Sequence, residues 1–80
     1  MNATEVIIEL SFEHYDRLLA NCEPSSREHA IVRNAVISSS RKFLIRCGMA
    51  EAEMLLAKAK QHCPEVVYEI EKAIALALRA

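Results

Sequence analysis

The sequence predicts an all-α fold: a single domain over residues 1–80, built from four short antiparallel helices. Three observations carry that expectation. Apolar residues recur at helical spacing through most of the chain, turn residues cut it into four such stretches, and the connections are short enough to make neighbours antiparallel. Composition agrees, because the apolar 52% contains twelve alanines against four aromatic residues, and small side chains suit closely packed helices.

Residues 4–22 read as the first helix. At about 100° per residue, Ile7, Ile8, Phe12, Tyr15, Leu18, Leu19 and Cys22 share one face, and Glu5, Glu9, Glu13 and Asp16 line the other. Thr4 is the expected N-cap. A competing pattern makes Glu5–Leu10 a strand followed by a helix from Ser11, with Glu5, Ile7 and Glu9 on one face and Val6, Ile8 and Leu10 on the other. The helix is preferred because one pattern then accounts for eighteen residues instead of six.

Glu23-Pro24-Ser25-Ser26 breaks the chain, and Ser25 followed by Glu28 has capping-box spacing for a second helix over about 26–47. Val32, Val36 and Phe43 form its main ridge, with Ile31, Ile45, Ile37 and Leu44 on both flanks, so it projects as apolar almost all round, as a central helix does. The run Ser38-Ser39-Ser40 predicts a bend. Gly48 is placed as a left-handed helix end. A third helix over about 49–63 puts Ala52, Leu55, Leu56, Ala59 and Cys63 on one stripe. Pro64 opens a fourth, with Val66, Val67, Ile70, Ala73, Ile74, Ala77 and Leu78 as its buried face to about Arg79.

Between about residues 33 and 64 the spacing resembles a single tetratricopeptide repeat. Ala52, Leu56, Ala59 and Pro64 match that family's small, large, small and closing-proline offsets, and Val36, Ser40 and Phe43 match those of its first helix. Ser39, the late Gly48 and residues 65–79 depart from it. In size and character the chain is also similar to the small helical chaperones that hold a needle subunit in bacterial type III secretion. That resemblance implies a protein-binding role without catalysis.

Composition removes other classes. No apolar run approaches the roughly 20 residues of a membrane span, and the amino end lacks a signal-peptide pattern, so a cytoplasmic protein with no membrane partner is expected. Three cysteines, Cys22, Cys47 and Cys63, read as reduced packing residues. With Gly48 as the sole glycine, every glycine-rich phosphate loop is excluded, and no cofactor is expected. His14, His29, His62 and the cysteines lack the paired spacing of structural zinc, and Cys63 projects into an apolar stripe where a thiol is inert. Neither a metal site nor a catalytic residue is expected, and the protein is not read as an enzyme.

Charge is polarised along the chain. Residues 1–26 hold one basic residue against five acidic, residues 27–46 five against one, and residues 47–80 four against five. The reading is a non-enzymatic protein-binding module or small chaperone or adaptor, with itself or another helical chain as partner, a secretion-system subunit among the candidates. Phe12, Tyr15, Ile37 and Leu44 are its expected apolar contacts, and Glu5, Glu9 and Glu13 are set against basic groups, such as Arg41 and Arg46 of a second chain or those of another partner. The alternative is a ribbon-helix-helix-like DNA-binding dimer, which the strand pattern at Glu5–Leu10 would allow. Nucleic acid is disfavoured as a partner, because Glu5 and Glu9 would then face the phosphates.

Overall fold

Alternation, not helical period, governs the segment before Ser11. In the computed structural model, which describes residues 4–79, strand β1 (Glu5–Leu10) buries Val6, Ile8 and Leu10 completely and turns Glu5, Ile7 and Glu9 to solvent. Three consecutive β-branched residues, Val6, Ile7 and Ile8, lose side-chain freedom in a helix and fit a pleated surface instead. Helix α1 (Phe12–Ala20) starts only after Ser11, whose hydroxyl accepts the His14 N–H at 3.2 Å. The expected helix over 4–22 capped by Thr4 is therefore a strand followed by a helix capped by Ser11.

The expected second helix over 26–47 is also corrected. Helix α2 covers only Arg27–Arg33, capped by Ser26, whose hydroxyl accepts the His29 N–H at 3.1 Å. Strands β2 (Val36–Ile37) and β3 (Phe43–Gly48) follow as an antiparallel hairpin, with Val36 opposite Leu44 and Ile37 opposite Phe43. Strand residues at period two scatter around a helical projection, which makes this segment look like a helix apolar on all sides.

The serine run is the hairpin turn. Arg41 N–H donates to Ser38 C=O at 3.0 Å and Ser38 N–H to Lys42 C=O at 2.8 Å, so a three-residue loop closes on Arg41 at φ +62°. That left-handed position usually holds glycine.

Gly48 ends β3 at φ −81°, not in the left-handed region, and is the N-cap of α3 (Met49–His62). Its N–H donates to the Glu51 carboxylate at 2.8 Å. Pro64 opens a 3-10 turn over Pro64–Val66 that runs directly into α4 (Val67–Arg79). These two helices lie where their apolar stripes place them, except that Leu78 is exposed. The all-α architecture with tetratricopeptide-like packing is not formed: Val36 and Phe43 are on strands and Ser40 is in the turn.

The sheet order is β1-β3-β2, with β1 pairing antiparallel to β3 from Glu5↔Gly48 to Leu10↔Phe43. Because β3 lies between β1 and β2, the segment from β1 to β2 is a split β-α-β unit. Helices cover one face, where Val6, Ile8, Leu10 and Ile45 meet Leu18, Val32, Leu55 and Ile70, one from each helix. Helix α4 packs chiefly against β1, and its residues also border the sheet's other face, so it stands at the β1 edge. That edge is covered, while the opposite edge is the two-residue β2.

Two stability outcomes follow from this packing. Arg41→Gly should stabilise the protein by about 1 kcal/mol, read as a higher denaturation midpoint with an unchanged slope, because glycine relieves the left-handed backbone. Ala52 is fully buried and Ala57 exposed on the same helix, so Ala52→Leu should cost about 1–3 kcal/mol and Ala57→Leu almost nothing in the same titration.

Candidate functional site

The strand register dictates what the uncovered face of the sheet displays. Glu9, Leu44 and Val36 form one row across the three strands, and Ile7 lies opposite Arg46 in the next. Glu5 sits at the end of β1, and the Arg46 guanidinium donates to both its carboxylate oxygens, at 3.2 and 3.3 Å. An exposed pair of this kind contributes about 0–1 kcal/mol, and here it joins the acidic strand to the basic one within the chain.

Beside this face, α4 presents Tyr68, Lys72 and Leu76 at four-residue spacing, one stripe of the helix surface. Together with Ile7, Leu44 and Ala73 they line a groove of about 300 Å³ bordered by Glu9, Lys42 and Glu69. Exposure is high at Ile7 (46%), Val36 (53%), Tyr68 (67%) and Leu76 (54%). Among the described residues, Glu9, Lys42 and Lys72 form no ion pair. Glu69 Oε2 lies 3.9 Å from His14 Nδ1, and its buried Oε1 has no hydrogen-bond partner among the described residues.

The expected contact residues divide among five places. Glu5, Glu9, Leu44 and Arg46 lie on the uncovered face. Phe12 and Ile37 are exposed on the helix side, near the Leu10–Phe43–Ile37 row. Tyr15 belongs to the core: its ring stacks on Phe43 at 3.8 Å between centroids, and its hydroxyl donates to Val32 C=O at 2.8 Å. Phe12 completes the cluster, tilted against Phe43 at 5.0 Å. Glu13 pairs with Arg17 one turn along α1 at 3.0 Å, and Arg41 holds the hairpin turn.

Sequence reasoning missed Ile7, Val36, Lys42, Tyr68, Lys72 and Leu76 as surface residues. A signal existed for α4, whose Tyr68, Lys72 and Leu76 repeat at four-residue spacing apart from its buried Ile70 and Ala73.

The remaining reactive groups lie elsewhere. Cys22, Cys47 and Cys63 are buried free thiols. Burial, with Glu51 and Glu5 adding to it, pushes the Cys47 thiol up to about 11, and burial raises the other two as well. A thiol so placed is a poor nucleophile. Hydrogen bonds from the Gly48 N–H and Arg27 hold Glu51 below the usual carboxylate range, and Arg17 does the same for Glu65. Among the described residues, no group of three or more His, Cys, Asp or Glu side chains is placed to hold a metal ion, and no helix is long and apolar enough to cross a membrane. No protein-family profile, curated protein or solved structure matches the chain.

Tyr15→Phe distinguishes core from contact surface. It should lower unfolding free energy by about 1 kcal/mol, because the Val32 carbonyl keeps the Ala35 N–H at 3.1 Å but loses the phenol donor. Its sedimentation behaviour should match that of the unmodified protein.

Proposed function

We infer that the protein is a non-enzymatic protein-binding module that docks its partner on the uncovered sheet face and the adjoining stripe of α4. One observation carries this reading: Ile7, Val36, Tyr68 and Leu76 leave large apolar side chains about half exposed or more on one side of the molecule. The largest apolar patch that a monomer leaves exposed is often functional. Charged residues rim it, as they rim protein interfaces.

The three cysteines, the strongest nucleophiles in the sequence, are buried with raised pKa values and do not line the groove. A nucleic-acid ribbon is the weaker reading, because β1 is paired with β3 on one side and flanked by α4 on the other. No edge of β1 is left for the same strand of a second copy, and Glu5 and Glu9 face outward.

The test is site-specific photocrosslinking in the cell that makes the protein. A crosslinking residue at Val36 or Leu76 should give discrete protein adducts, and one at Gln61, exposed on α3, should give none. Equal adduct formation from all three positions, or none from Val36 and Leu76, overturns the reading.

A further inference from the structure

We propose that the occupant of this face is a second copy of the same chain, paired across the uncovered sheet by a two-fold axis; this rests on the docking reading above and names its partner. Charge complementarity singles out this occupant. The face and its groove display Glu5, Glu9 and Glu69 against Lys42, Arg46 and Lys72, three of each sign around an apolar floor of Ile7, Leu44 and Leu76. Glu5 and Arg46 satisfy each other. Glu9, Lys42 and Lys72 have no ion-pair partner among the described residues, so two ammonium groups and at least one carboxylate are left for a partner to meet.

A partner of strong single sign, such as a polyanion or a basic peptide, would gain from half of these groups and be repelled by the other half. A surface carrying the same mixture meets the requirement without such a penalty, and in a two-fold contact every favourable cross-pair is made twice. The apolar floor supports the same occupant. An isologous contact stacks Ile7, Leu44 and Leu76 of one copy on those of the other, and two sheets packed face to face fill the roughly 10 Å between them with such side chains. The edges do not compete, since β1 is covered by α4 and β2 offers two residues for strand pairing.

Sedimentation equilibrium of the full chain at tens of micromolar, at low and high salt, is the experiment. Lys42→Glu with Lys72→Glu makes the face acidic, and Glu9→Lys makes it basic; all three positions are exposed, and a thermal melt by circular dichroism checks that each variant folds. The unmodified protein should sediment as a dimer. Each variant alone should dimerise at least tenfold more weakly, and an equimolar mixture of the acidic and basic variants should recover association as a mixed dimer, weakening with salt. A monomeric unmodified protein overturns the proposal, as does a variant that dimerises unchanged or a mixture that stays monomeric. If the protein is monomeric and crosslinks from Val36 and Leu76 have masses other than twice the chain, docking on this face stands and self-pairing falls.

Discussion

The antiparallel ladder between β1 and β3 is the constraint on which the rest of the molecule depends. It joins segments some forty residues apart and decides which side of every strand residue is wet. A one-residue slip would send Glu5, Ile7 and Glu9 inward in place of Val6, Ile8 and Leu10, burying two carboxylates without partners. The register is fixed at one end by the Arg46 fork on Glu5 and at the other by Phe43, which the Tyr15 ring covers. Helix α3 begins on the last ladder residue, Gly48, whose N–H is held by Glu51. Through Arg27, the same carboxylate ties α2 to the start of α3.

Since all four helices contribute to the covered face, the sheet has a dry side and a wet side of different chemistry. The dry side is aliphatic and aromatic, and among the described residues no charged or polar one is buried in the core. The wet side mixes exposed apolar groups with both signs of charge, and α4 widens it beyond the strands. Arginines also link elements in the helical layer: Arg17 of α1 reaches Glu65 in the 3-10 turn, and Arg27 of α2 reaches Glu51 of α3. Such exposed pairs orient neighbouring elements more than they hold them, and cohesion comes from the aliphatic contacts beneath.

Half of the architecture was legible in the residues. Helices α3 and α4 are the longest elements, free of competing strand alternation and bounded by Gly48 and Pro64, so their buried stripes can be read from the residues. The strands were harder for identifiable reasons. Glu5–Leu10 satisfies both periods, because adjacent Ile7 and Ile8 extend the helical stripe of Phe12, Tyr15 and Leu18 while also alternating with Glu5 and Glu9. The hairpin at 36–48 lacks its usual marker: Arg41 occupies the left-handed position where a glycine would have announced the turn. With that turn hidden, Phe43, Ile45 and Cys47 could be counted on a helix. Leu44, Glu5, Glu9 and Arg46, expected as contacts, share the uncovered face, but the sequence points Tyr15 to the surface because a lone tyrosine carries no sign of the Val32 carbonyl that satisfies its hydroxyl. Val36, Tyr68 and Leu76 come onto one side only through the tertiary placement of α4 beside β1, which no local pattern encodes.

The position of α4 also bears on the order in which the chain acquires structure. Strand β1 draws its two neighbours from β3 and from a helix still further along the sequence, so neither flank can form from local contacts. Until α4 docks, the nascent sheet offers a six-residue strand with alternating valine, isoleucine and leucine and one bare hydrogen-bonding side, the combination most prone to recruit strands from other molecules. In any state in which α4 is undocked that edge is open, so the helix guards the strand against pairing with other chains as well as completing the core.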